Sequence, residues 1–210
     1  MNNYKIVFMG TPDFGIPSLN ELYKQGYEVE AVYTQPDRVN KRGNKVQFSA
    51  VKQFALEHDI TIYQPNSLKD EKELDVLRAL NPDLIIVIAY GKILPQAVLD
   101  IPKYGVINVH ASLLPKYRGA APVQRSIIDG EETTGVTIMQ LDAGMDTGNI
   151  IAEKSVSITP HMTSEDLFDV LSNVGAKLLI DVLDDLPAKL AASVKQDESK
   201  ATYAEKLTKR

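Results

Sequence analysis

Six consecutive apolar residues, Leu84-Ile85-Ile86-Val87-Ile88-Ala89, restrict the folding options of this chain more than any other stretch. The run has no polar residue to turn toward water, so it fits a strand covered on both faces. Such strands belong to parallel sheets, whose strands are joined by helical crossovers. The flanking sequence supplies these elements. Lys5–Met9 and Val29–Tyr33 read as strands and Ile60–Tyr63 as a short one. Helices are predicted over Pro17–Gln25, stopped by Gly26, over Phe48–His58 and over Asp70–Leu80. A short helix is predicted at Leu94–Asp100 and a strand at Val106–His110. A helix follows at Pro122–Asp129, then strands at Thr134–Met139 and Ile150–Ser157. A long helix is predicted at Ser164–Leu183 with Ser164 as its N-cap. This alternation predicts an α/β fold, a doubly wound, mainly parallel sheet with helices on both faces. Ligands of such sheets bind beyond the carboxyl ends of the strands. That rule singles out the loops after Met9, Ala89 and His110.

Composition narrows the chemistry. A chain of 210 residues suits one large α/β domain or two small ones. It holds no cysteine, which excludes disulfides, thiolate nucleophiles and cysteine zinc sites and fits a cytoplasmic protein. No apolar run approaches the roughly 18 residues of a membrane span, and MNNYKIVFMG runs straight into a strand, leaving no room for a signal peptide. The net charge of −5 argues against nucleic acid as a general partner. Between Pro36 and Lys52, however, Arg38, Lys41, Arg42, Lys45 and Lys52 face only Asp37. Charge runs usually just face solvent, but a basic loop on an acidic body is also an electrostatic footprint.

Four segments carry candidate chemistry. The loop Gly10–Gly15 lacks the dinucleotide fingerprint, because Pro12 stands where the second glycine must let a pyrophosphate approach. It suits a substrate wall, with Phe14 as its apolar face. In Val106–His110, period-2 alternation puts Asn108 and His110 on the same side of a strand end. An amide donor beside an imidazole is what acyl transfer needs. Ser112 invites a serine-hydrolase reading but lacks the G-x-S-x-G elbow. The loop Leu141–Ile151, LDAGMDTGNII, places Asp142 and Asp146 between two strands. Either is suited to orient His110, and no ligand spacing supports a metal with His110 and His161. The Ala89–Pro95 segment, following the most apolar strand, offers backbone groups and apolar walls to a flat ring.

Taken together, VFMGTPDFGIP (Val7–Pro17), the AYGKILP loop, NVHASLLPKYRGAAPVQ (Asn108–Gln124) and GVTIMQLDAGMDTGNII (Gly135–Ile151) resemble the folate-dependent formyltransferases over nearly the whole chain. The basic insertion, with Lys41-Arg42-Gly43, resembles the tRNA-contacting loop of the methionyl-tRNA branch. The resemblance implies a Rossmann-like catalytic domain over residues 1–188 and 10-formyltetrahydrofolate as formyl donor. It implies Asn108, His110 and Asp146 as the catalytic trio and no metal. It implies folate contacts from Ile88, Tyr90, Gly91, Ile93, Leu94, Ser112, Leu113, Leu114, Pro115, Leu141 and Asp142. For initiator methionyl-tRNA it implies Phe14, Arg38, Lys41, Arg42, Gly43 and Lys45. Residues 189–210 are expected to form a tail or linker toward a C-terminal tRNA-binding domain, and a monomer is expected. Sugar-nucleotide N-formyltransferases and a folate-hydrolysing relative share the Asn-x-His pair, but the basic insertion has no use there. A non-catalytic RNA-binding relative has no need of the full trio.

Overall fold

The computed structural model describes residues 3–40 and 42–209. The chain divides into two compact units, one up to Ile107 and one from Asn108.

The first unit is a parallel sheet. Its strands are β1 (Lys5–Gly10), β2 (Glu28–Tyr33), β5 (Thr61–Tyr63) and β6 (Leu84–Ile88), in the order β5-β2-β1-β6. All their pairings are parallel, with Phe8 opposite Val32 on one side and Ile86 on the other. Ile6, Val7, Phe8 and Met9 are all fully buried, as are Leu84, Ile85 and Ile86. Burial of consecutive residues requires cover on both faces, which is what the apolar run predicts. Helices α1 (Ile16–Lys24), α2 (Ala50–Glu57), α3 (Glu71–Leu80) and α4 (Gln96–Leu99) lie between the strands in sequence. Helix α2 starts two residues later than expected, because Ser49 Oγ accepts the Lys52 N–H at 3.1 Å and caps it. The long loop after β2 is not plain coil. It contains a two-residue hairpin, β3 (Arg38–Val39) against β4 (Val46–Gln47).

Strand β7 (Val106–His110) begins in the last two residues of the first unit, and the second unit holds its end, Asn108–His110, with β8 (Thr133–Gln140) and β9 (Ile150–Ser157). β8 and β9 form an antiparallel hairpin. Helices α5 (Pro122–Ile128), α6 (Ser164–Asp184) and α7 (Leu186–Ala191) complete it. The N-cap of α6 is Thr163 rather than Ser164. Thr163 and Asp166 exchange hydrogen bonds in a capping box, which satisfies two otherwise orphaned N–H groups. Helix α6 packs on β8 and β9, and Gly175 permits a close approach. A Cβ there would lie 3.0 Å from Val109 and 3.4 Å from Val136, so a larger side chain would push the helix off the strand that carries Asn108 and His110.

After α7 the chain does not leave the unit as a tail. Val194 bridges to Ile150 on the edge strand, Gln196 is 4% exposed and Ala204 fully buried. Thr202 N donates to the Pro115 carbonyl and receives the Arg118 N–H on its own carbonyl, while Ala204 N donates to the Arg118 carbonyl. Residues 193–204 are therefore a strap over the loop that follows β7. Among the described residues no helix is long and apolar enough to cross a membrane.

Candidate active site

His110 ends β7 and is 8% exposed. Its Nε2 lies 2.9 Å from the Tyr117 carbonyl oxygen. A carbonyl can only accept, so Nε2 carries the hydrogen and a neutral ring presents its lone pair at Nδ1. Nδ1 faces Asp146, with Oδ2 3.8 Å away. That separation is too long for a direct hydrogen bond, and the carboxylate complements charge only when the ring is protonated. Asn108, half-buried two residues upstream, lies on the same strand face.

Two strained backbone positions hold this arrangement. Tyr117 has φ +57 and Asp146 has φ +55, a region that residues with a Cβ seldom occupy. At Tyr117 the turn aims the carbonyl back at His110. Its N–H donates to Thr202 Oγ1 at 2.9 Å, and its hydroxyl lies 2.8 Å from Asp129 and 2.9 Å from Glu131. Burial and these two carboxylates push the Tyr117 phenol well above its ordinary range, so it stays a donor. At Asp146, Oδ2 accepts the Gly119 N–H at 2.8 Å. Gly148 lets the loop close, since a Cβ there would overlap the Gln140 carbonyl.

The loop 112–115 is internally braced. Ser112 Oγ donates to the Lys116 carbonyl at 2.6 Å, and Thr137 Oγ1 donates to the Ser112 carbonyl and accepts the Leu114 N–H. The Ser112 hydroxyl is thereby committed and buried, and Leu114 is buried, while Leu113 and Pro115 are half-buried. In the acidic loop, Leu141 is half-buried. Asp142 is exposed and its Oδ1 accepts from the Gly144 N–H and the Thr147 hydroxyl, a turn-forming role.

In the first unit, Ile88 and Tyr90 are buried, Leu94 is half-buried, and Gly91 and Ile93 are exposed, Ile93 at 83%. Gln35 Nε2 reaches the carbonyls of Tyr90 and Gly91, both at 3.1 Å, and Thr11 Oγ1 also reaches that of Tyr90. These bonds shape the loop after β6. Phe14, expected as a ligand wall, is 5% exposed. Arg38, Arg42, Gly43 and Lys45 are exposed on the β3–β4 hairpin and its turn, and Lys41 lies outside the described residues. At the base of the hairpin, Lys52 pairs with Asp37 at 2.7 Å. Among the described residues no cluster of three His, Cys, Asp or Glu is placed to hold a metal.

Sequence reasoning missed four participants: the Tyr117 carbonyl, the Gly119 N–H, Arg118 and Gln196. The first two are main-chain groups without a side-chain signature. The last two fall in a basic loop and a polar terminal stretch that look solvated.

An amide and a tautomer-fixed imidazole at a strand end, with a carboxylate facing the other ring nitrogen, are groups that acyl-transfer chemistry can use. The sequence profile of the formyl transferase family matches residues 4–183, and the chain belongs to that family. It is 53% identical over 205 residues to a methionyl-tRNA formyltransferase of Hydrogenovibrio crunogenus, covering 98% of this chain and 66% of the relative. It is 50% identical to the methionyl-tRNA formyltransferase of Caldanaerobacter subterraneus subsp. tengcongensis, covering 98% of this chain and 67% of the relative. The chain thus spans about two thirds of the length of these curated relatives. Among solved structures, a phosphoribosylglycinamide formyltransferase from Bacillus halodurans superposes with a TM-score of 0.72 at 25% identity, covering 88% of this chain and 96% of that one. An N-formyltransferase from Helicobacter canadensis in complex with folinic acid and dTDP-3-aminofucose gives a TM-score of 0.72 at 22% identity, covering 96% and 70%. The latter likeness concerns the fold.

Proposed function

We propose that this protein transfers the formyl group of 10-formyltetrahydrofolate to the α-amine of methionine esterified to initiator tRNA, as a cytoplasmic, monomeric enzyme of translation initiation. The observation that carries this reading is the His110 ring, held by Tyr117 with Nδ1 toward Asp146 beside Asn108. The similarity to methionyl-tRNA formyltransferases along 98% of the chain supports the choice of acceptor.

The reaction forms a bond from the amine nitrogen to the formyl carbon and breaks the bond from that carbon to the folate nitrogen. An α-amine titrates near roughly pH 8, so much of it is already a neutral nucleophile in the cell. The demands on the protein are positioning, charge stabilisation and proton movement. Asn108 donates its side-chain N–H to the oxygen that gains negative charge. His110 takes the proton of the attacking nitrogen at Nδ1, the nitrogen that Tyr117 leaves free. Asp146 complements the positive charge that then sits on the ring. The same proton can return to the departing folate nitrogen.

The folate is assigned to Ile88, Tyr90, Gly91, Ile93, Leu94, Ser112, Leu113, Leu114, Pro115, Leu141 and Asp142. Exposed Ile93, an apolar side chain free to meet a flat ring, supports this for the first unit. The tRNA is assigned to the exposed cations Arg38, Arg42 and Lys45, with Lys41 beside them in sequence, as phosphate contacts. Labelled formyl donor offered with charged initiator tRNA, uncharged tRNA and an amino sugar tests the proposal. Label on the charged tRNA alone is expected. Label on the amino sugar, or no transfer, overturns it.

A further inference from the structure

Among the described residues Arg118 is the largest fully buried side chain, at 1% exposed, and nothing in the transfer chemistry above uses it. A buried guanidinium is costly unless its donors are satisfied. Here they are. Nη1 and Nη2 reach the two carboxylate oxygens of Glu198 at 2.9 and 2.7 Å, and Nε and Nη2 reach Gln196 Oε1 at 3.2 and 2.8 Å. The other end of the Gln196 amide donates from Nε2 to the carbonyls of Asp146 at 2.9 Å and Gly148 at 2.7 Å. The amide has one workable orientation, because the guanidinium only donates and the two carbonyls only accept. The chain of contacts thus runs from the strap to Asp146, which faces His110 and whose left-handed backbone persists only if its surroundings hold it.

We propose that Arg118 and Gln196 are positioning residues: a buried relay by which the strap at residues 193–204 fixes the Asp146 backbone and aims its carboxylate at His110 Nδ1. This rests on the catalytic reading of Asn108, His110 and Asp146. The relay acts through Asp146 and touches no substrate. Glu198, though exposed, is its outer latch, and the bond to Arg118 holds its carboxyl below the usual range.

Gln196→Glu is the direct test, since it keeps the acceptor for Arg118 and removes both donors to the Asp146 loop. It is expected to lower kcat for formyl transfer roughly ten- to a hundredfold, with KM for donor and acceptor within about twofold. In an Asp146→Asn background the same substitution is expected to change kcat by less than about twofold, because its target is already lost. A full additional loss in that background overturns the relay, as does a Gln196→Glu protein with wild-type kcat. Should Gln196→Glu fail to fold, Glu198→Gln at the surface is expected to lower kcat by about two- to fivefold with unchanged KM, and an unchanged kcat overturns the proposal. If the unaltered protein transfers no formyl group, the functional reading fails first. The relay is then decided by the nitrogen NMR shift of His110 Nδ1, which must move in Gln196→Glu and which overturns the relay if it does not.

Discussion

His110 Nε2 and the Tyr117 carbonyl oxygen are 2.9 Å apart, and this contact fixes which ring nitrogen carries the hydrogen in the neutral ring. The residue that sets the tautomer is a main-chain carbonyl seven positions on, presented by a residue at φ +57. Asp146 Oδ2 lies 3.8 Å from the other ring nitrogen, Nδ1.

Asn108 is assigned to the oxygen of the transferred formyl group. Asn108→Ala is expected to lower turnover roughly a hundred- to a thousandfold, the usual cost of one oxyanion donor. Folate binding should remain nearly intact. Single-turnover formylation with both substrates saturating measures the loss, and a drop below tenfold removes Asn108 from that role.

Gly148 is required for space. A Cβ at this position would overlap the Gln140 carbonyl, and backbone cannot move aside as a flexible side chain can. Gly148→Ala is expected to destabilise the protein by about 3 kcal/mol, at the upper end of overpacking costs. Urea unfolding reports it, and a cost below about 1 kcal/mol would show that the loop has room.

Tyr90 gives a pH signature. Burial pushes its phenol up to about 12, against roughly 10 in an unfolded chain. The folded protein keeps this proton where the unfolded chain releases it. Stability is therefore undiminished below about pH 10 and falls as pH rises toward the folded value. Tyr90→Phe, which also deletes a hydroxyl without a partner among the described residues, should remove a slope of about 1.4 kcal/mol per pH unit in that window. Urea titrations across it would show the variant curve flatter than wild type. Parallel curves contradict the assignment.

Arg42 is exposed at the turn of the β3–β4 hairpin. If it contacts phosphate, Arg42→Ala weakens tRNA binding and lowers the slope of log affinity against log salt by roughly one. Unchanged affinity and slope would remove the contact.

Much of this was readable from residue order. The run Leu84–Ala89 announced a strand buried on both faces, which holds for Leu84–Ile88 but not for exposed Ala89, and Asn108-x-His110 announced an amide and an imidazole on one side of a strand end. The β3–β4 hairpin escaped because two-residue strands with exposed Val39 and Val46 leave no periodic pattern, although Gly43-Asn44, both at positive φ, carries turn chemistry. The strap escaped because its composition is polar and only Gln196 and Ala204 are deeply buried. Thr163 and Ser164 both suit an N-cap. The spacing to Asp166 favours Thr163, a reading that needs the T-x-x-D pattern rather than the single residue.

The most direct test of the account is the single-turnover rate of His110→Gln with donor and charged tRNA saturating. Glutamine keeps an N–H for the Tyr117 carbonyl and removes the base at Nδ1. The rate is expected to fall by roughly two to four orders of magnitude, with donor affinity unchanged. A fall of less than tenfold would mean that Nδ1 of His110 does not carry the proton.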